Sequence, residues 1–224
     1  MKRVLFLTNY PSPYRVHFFD ELGKYMDVTV LYSDRVEDMK HRNAAWFEEG
    51  DHGFRAVRLT PKFRVGRRYL CFDVIPWLKK EYDSIVVCGY SSPTAVLAMA
   101  WLRLHRIPFY MEVDGGLIRR DNRIKHFVKK SLVCLANQWL STGEHTTRYL
   151  VHYGAKADQV THYPFSSLYE KDILPNVLTQ EEKAEIRRML EIEEKHMILA
   201  IGQFIHRKGF DVLMRATGNL DPDT

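Results

Sequence analysis

Short runs of consecutive apolar residues recur along this chain. Each is followed by a longer segment whose apolar residues return every three or four positions, and this alternation restricts the fold more than any other feature. Residues 4–7 (Val-Leu-Phe-Leu) form the first run. An unbroken apolar run of that length suits a strand covered on both faces, as in a parallel sheet. Residues 15–25 then carry Val16, Phe19 and Leu22 at helical spacing, and 28–32 form a second strand. Two strands joined through such a helix must run parallel, with a right-handed crossover. The pattern continues with strands expected at 54–59, 85–88, 108–113, 138–141 and 160–163. Helices are expected at 69–80, 93–106, 123–135 and 143–152, the last stopped at Gly154. This order predicts an α/β domain over residues 1–168, an open, doubly wound parallel sheet of Rossmann-like type.

Composition sharpens the reading by exclusion. With 46% hydrophobic and 27% charged residues in 224, wholesale disorder is excluded. The 33 Lys and Arg against 28 Asp and Glu leave a formal charge of +5, which permits a polyanionic partner without pointing to one. Cys71, Cys88 and Cys134 are odd in number, far apart and set among apolar residues. They read as buried thiols in a reducing compartment rather than a disulfide scaffold or a zinc site. The N-terminal apolar run ends at Thr8-Asn9, too short for an export signal, and no apolar stretch is long enough to span a bilayer. The ten histidines include no HExxH pattern and no Cys/His ligand spacing, so no metal is expected.

Beyond the first domain the composition changes. Residues 170–195 hold eight acidic and five basic side chains, interrupted at Pro175-Asn176, and Thr179 before Glu181-Glu182 suits a helix from about 180 to 190. Residues 169–195 are therefore expected to be a linker and helix. In 196–224, a strand over 197–201 ends at Gly202 and a helix opens at Gly209. One strand and one helix cannot bury a core, so this piece reads as the start of a second, truncated α/β domain.

Ligands of open parallel sheets bind beyond the carboxyl ends of the strands. The loop after the first strand, Asn-Tyr-Pro-Ser-Pro-Tyr-Arg, lacks the glycines of a dinucleotide fingerprint or a Walker loop. Ser12, Tyr14 and Arg15 stand there as candidate contacts for phosphate or a sugar hydroxyl, or simply as a proline-stiffened turn. Tyr90 and Ser91 precede a helix, where Ser91 or Ser92 caps it or the helix end receives an anion. In Glu112-Val113-Asp114-Gly115, two carboxylates one residue apart share a side if the strand continues, and the glycine lets backbone approach a ligand. Asp114 could orient a sugar hydroxyl, act as a base or bind a cation, or it is an acidic turn.

Two basic clusters carry interleaved apolar residues. Arg119, Arg120, Arg123, Lys125, Lys129 and Lys130 alternate with Ile118, Ile124, Phe127 and Val128, and Lys62, Arg64, Arg67 and Arg68 surround Phe63 and Val65. Such interleaving suits an anionic membrane surface or a lipid diphosphate. A solvated, charge-rich helix is the plain alternative, and no nucleic-acid recognition module is visible.

The segment 198–213, Ile-Leu-Ala-Ile-Gly-Gln-Phe-Ile-His-Arg-Lys-Gly-Phe-Asp-Val-Leu, resembles the opening of the nucleotide-sugar domain in glycosyltransferase family four, the retaining group with the GT-B fold. Residues 9–22 and 138–165 resemble that family's first loop and helix and the close of its first domain. The resemblance implies transfer of a sugar from a nucleotide diphosphate donor, with retention, to a glycan or a polyprenyl-diphosphate-linked acceptor. No further cofactor is implied. The acceptor would lie on the first domain, and the setting would be bacterial surface polysaccharide synthesis at the inner face of the plasma membrane. Lys208, with Gly202, Gln203, Arg207 and Gly209, would hold the donor diphosphate, Arg15 would assist, and Asp114 would position the reacting sugar.

Three positions depart from the family pattern. Gln203 replaces its phosphate-binding Arg, Pro11-Ser12-Pro13 replaces its glycine-containing loop, and Asp114 stands where many members have His. The family's Glu-x7-Glu segment would fall beyond Thr224, so a chain of this length is expected to lack useful transferase activity. A GT-B sugar epimerase, or a non-catalytic module binding membrane or polysaccharide-assembly partners, is the alternative reading.

Overall fold

The computed structural model describes residues 1–34, 52–66, 68–164, 168 and 170–218. Arg67, the domain edge at 165–167 and the last six residues lie outside the described set, as does the side chain of Arg207. The chain divides into two compact units, Met1–Asp172 and Ile173–Thr224.

The first unit is built on a seven-stranded sheet, every neighbouring pair of which is parallel. Its strands are β1 (Arg3–Thr8), β2 (Asp27–Tyr32), β3 (Arg55–Arg58), β6 (Ser84–Cys88), β7 (Tyr110–Val113), β8 (Gln138–Ser141) and β9 (Val160–His162). Their order across the sheet is β3-β2-β1-β6-β7-β8-β9. The chain thus winds outward from β1 to one edge, returns to the centre, and winds outward to the other.

Two cores flank the sheet. Leu5, Leu7, Ile85, Val87 and Met111 face α3 (Pro93–Leu104) and α5 (Glu144–His152), while Val4, Phe6, Val28, Val30 and Val86 face Phe19 of α1 (Pro13–Gly23). Alternate residues of β1 and β6 feed opposite cores, which is why these strands read as unbroken apolar runs. Each fully buried Leu, Val or Phe contributes roughly 1.5–3 kcal/mol. The helix starts follow local chemistry. Pro13 and Pro93 occupy first-turn positions of α1 and α3, where the missing N–H has no partner to lose, and the Ser92 hydroxyl accepts from the Ala95 amide at 3.0 Å.

Three expectations are corrected. The helix expected over 69–80 is a strand followed by a short helix. Strand β4 (Phe63–Val65) pairs antiparallel with β5 (Arg68–Leu70), and only α2 (Val74–Leu78) is helical. Gly66, at φ +62°, makes the turn, and the Thr94 hydroxyl donates to the Tyr69 carbonyl while accepting from the Cys71 amide, which holds this stretch extended. The strand expected over 197–201 is not formed. Its apolar side chains are exposed, and the described residues of the second unit offer no strand to pair with it. Finally, Cys134 lies at the surface rather than in the core, because α4 (Arg123–Val133) ends just before it.

The second unit contains α6 (Gln180–Met189) and α7 (Phe210–Thr217). A reciprocal capping box opens α6: the Thr179 hydroxyl accepts from the Glu182 amide, and the Glu182 carboxylate accepts from the Thr179 amide.

Candidate functional site

A cavity of about 360 Å³ opens beyond the carboxyl ends of β1, β6 and β7. The chain reverses its winding direction between β1 and β6, so the loops that follow them diverge to opposite faces and leave a crevice. Ser12, Tyr14 and Arg15 line it from the first loop, Tyr90 and Ser91 from the second, and Glu112, Asp114 and Gly115 from the third. The eight residues singled out in those loops therefore meet at one place. Tyr149 of α5 joins them, although it lies outside every strand-to-helix loop, and so do Asn9, Tyr10 and Cys88.

The cavity floor is a buried ion pair. The two terminal guanidinium nitrogens of Arg15 donate to the Glu112 carboxylate, at 2.5 and 2.6 Å, and the two residues are only 5% and 2% exposed. Fork-to-fork pairing is the strongest geometry open to these groups. The rings of Phe18 and Phe19 lie 5.5 and 5.0 Å from the guanidinium carbon. The register that sets Cys88 opposite Glu112 brings its thiol to donate to the same carboxylate at 2.9 Å. Burial pushes the Cys88 thiol well up, Glu112 adds to that, and Arg15 opposes it, so the sulfur stays protonated at neutral pH.

Arg15 thus differs from the expected diphosphate ligand: its charge is committed to Glu112, and it acts as a strut beneath the site. The two carboxylates also part company. Glu112 is neutralised in the floor, whereas Asp114, one residue past the end of β7, is exposed at the mouth, with the Thr142 hydroxyl 3.5 Å away. Asp114 is the acid left available to a ligand.

The wall opposite β1 is aromatic. The Tyr90 and Tyr149 hydroxyls hydrogen-bond to each other, and burial with that bond pushes the Tyr90 phenol up. Gly116 passes so close to Tyr149 that a Cβ there would lie 2.7 Å from the ring. Tyr149 packs on Tyr153 at 4.8 Å between ring centroids, and the Tyr153 hydroxyl donates to Asp121 at 2.5 Å. Lys129 pairs with Asp121 at 2.8 Å. The hydrogen bonds from Lys129 and then Tyr153 hold the Asp121 carboxyl well below the usual carboxylate range.

In the second unit, the segment around Lys208 folds as a one-turn helix, His206–Lys208, closed by Gly209 at φ +70°, a left-handed conformation suited to glycine. The aliphatic chain of Lys208 passes within 3.6–3.7 Å of where a Cβ on Gly202 would stand. Gly202 and Lys208 are therefore neighbours, and Gln203 and Lys208 are exposed.

Of the basic clusters, Lys62, Arg64, Arg119, Arg120, Arg123, Lys125 and Lys130 are exposed. Arg68 pairs with Asp34, and Lys125 and Lys129 both pair with Asp121, so none of the three is the uncommitted surface cation expected.

No protein-family model matches the sequence, and the search of curated proteins found no match. Among solved structures, Anabaena HepE in complex with UDP and glucose is 14% identical with a TM-score of 0.58, over 99% of this chain and 59% of that one. The HepE complex with UDP-glucose gives 15% identity and the same TM-score, over 99% and 58%. The chain therefore spans less than two thirds of the HepE chain it matches. UDP-GlcNAc 2-epimerase from Neisseria meningitidis, bound to UDP-GlcNAc, overlaps 72% of this chain and 45% of its own at a TM-score of 0.47 and 17% identity, too loosely to bear on the argument. At these identities the likeness to HepE establishes the fold: an open, parallel α/β sheet shared with part of a larger protein.

Proposed function

We propose that this chain belongs to a GT-B enzyme acting on nucleoside-diphosphate sugars, a retaining glycosyltransferase whose acceptor binds in the cavity above β1, β6 and β7. The observation that carries this reading is the cavity itself. It lies at the winding reversal of the sheet, its loop carries no glycine-rich phosphate fingerprint, and it offers one exposed carboxylate among phenols and hydroxyls. That lining suits the hydroxyl groups of a glycan better than the phosphates of a nucleotide.

In this reading Asp114 accepts a hydrogen bond from an acceptor hydroxyl and orients it, while Tyr90, Ser91 and Tyr149 supply further polar and ring contacts. Arg15 and Glu112 position the loops from beneath. Lys208 supplies the cation for the donor diphosphate, a contact on which transfer depends because the nucleotide leaves as an anion. The acceptor in this proposal is a glycan or a polyprenyl-diphosphate-linked sugar. The resemblance of segment 198–213 and the bound UDP and UDP-glucose of HepE support the donor class.

The test is to incubate the protein, purified from its natural source, with labelled UDP-sugars. UDP release that requires a glycan or lipid-linked acceptor supports the transferase. Sugar interconversion without acceptor would replace it with an epimerase, and neither reaction would leave a binding module.

A further inference from the structure

Helix α4 shows the solvent a face that the cavity does not account for. Ile124, Phe127 and Val128 are 77%, 69% and 48% exposed. At 100° per residue they fall within an arc of about 100°, directed away from Val133, which is buried. Arg123 and Lys130 border this stripe on one side and Lys125 on the other, and all three are exposed. The segment entering the helix continues the pattern with exposed Leu117, Ile118, Arg119 and Arg120. The one carboxylate between 117 and 130, Asp121, is turned inward, its side chain 2% exposed and tied to Lys125, Lys129 and Tyr153. The outward face is thus apolar along its centre, lined by Arg123 and Lys130 along one border and by the Asp121-paired Lys125 along the other, and shows no exposed acid.

We propose that this face of α4, with residues 117–120, seats the protein on the surface of an anionic lipid bilayer. The charge pattern selects the occupant. A second copy meeting this face about a two-fold axis perpendicular to α4 would set the Arg123 and Lys130 border against its own image, a like-charge arrangement. A bilayer of acidic lipids receives the apolar stripe among its acyl chains and the cations among its headgroups. Each exposed cation outside an ion pair strengthens attachment by about fivefold at physiological ionic strength, so Arg119, Arg120, Arg123 and Lys130 together are worth on the order of several hundredfold. Leu117 follows directly on Gly115, at the cavity rim, and Gly116, against Tyr149. A protein seated in this way carries that rim at headgroup level. The attachment is independent of the sugar chemistry, and its test does not use it.

The experiment is co-sedimentation of the chain with vesicles of phosphatidylcholine and phosphatidylglycerol in equal parts, beside vesicles of phosphatidylcholine alone. Binding is expected to the mixed vesicles only and to weaken steeply with added salt. The pair Ile124→Asp and Phe127→Asp should weaken it at least about tenfold, and the triple Arg120→Ser, Arg123→Ser and Lys130→Ser about a hundredfold. Circular dichroism should be unchanged in both, since all five side chains are exposed. As a second readout, a Phe127→Trp variant should shift its fluorescence to the blue on the mixed vesicles. Equal binding to both vesicle types, undiminished binding by the charge and apolar variants, or an unshifted emission from the Phe127→Trp variant would overturn the proposal. So would a concentration-dependent dimer abolished by Phe127→Asp in a chain that ignores the vesicles.

Discussion

Arg15 and Glu112, 97 residues apart in sequence, face each other through two hydrogen bonds of 2.5 and 2.6 Å in the floor of the cavity. One comes from the first turn of α1 and the other from β7, on opposite sides of the point where the sheet reverses its winding. The pair therefore closes the two wings of the sheet over a common base. Removing one partner strands a buried charge. Glu112→Ala should cost about 3–5 kcal/mol, whereas the double change Arg15→Met with Glu112→Leu should recover most of that loss. Urea unfolding of the three proteins measures both effects.

Asp114 stands outside this pair and is exposed. Asp114→Asn should leave the unfolding free energy from urea titration within about 0.5 kcal/mol of the parent, as surface changes do. In the acceptor-dependent assay it should lower kcat/KM by about a hundredfold, the scale of a lost positioning or proton-accepting contact. Equal loss of activity and stability would instead make Asp114 a structural turn residue.

Asp121 links stability to pH. Its carboxyl is held below the ordinary value by the hydrogen bond from Lys129, then by that from Tyr153. A group whose folded-state pKa is depressed contributes stability above its unfolded pKa, about 3.9 for Asp, and loses it as pH falls toward the folded value. The stability difference between the parent and Asp121→Asn should therefore be constant above about pH 5 and shrink progressively below about pH 4. Thermal melts of both proteins across that range check the sign.

The cysteines should separate by reactivity. Cys134 is exposed, while burial and the neighbouring Glu112 keep the Cys88 thiol protonated. Iodoacetamide should label Cys134 first, Cys88 slowly because its thiol stays protonated, and Cys71, fully buried, only on unfolding, as read by mass spectrometry of the peptides. Rapid labelling of Cys88 in the folded protein would contradict the geometry of the floor.

The central sheet was legible because parallel strands with two covered faces carry apolar residues in succession. β8 falls on the expected residues 138–141, and the bounds of β1, β2 and β6 shift by only one. The β4–β5 hairpin was not legible. Its strands are only three residues each, too short for a period of two to be read, and β4 is exposed throughout while β5 buries only Tyr69. The reverse error at 197–201 has the same root: an apolar run encodes a strand only where another strand accepts its hydrogen bonds. At the site, the strand-end rule brought attention to Ser12, Tyr90 and Asp114, but not to Tyr149, which reaches the cavity from the body of a helix. The Arg15–Glu112 pair left one readable trace. A glutamate inside the run Tyr-Met-Glu-Val of a covered strand demands a buried cation, although nothing in the sequence says which.

The contact between Gly116 and Tyr149 makes these two positions interdependent in any lineage that varies them. A Cβ at 116 would stand 2.7 Å from the Tyr149 ring, closer than side chains in proteins approach one another. Gly116→Ala alone must therefore displace that ring, and with it the hydroxyl that meets Tyr90. The order of substitution is consequently biased: a smaller residue 149 lets residue 116 grow without displacing the wall. A drift that reshapes this wall with least disturbance passes through a variant with a wider cavity before it reaches one with a narrower rim.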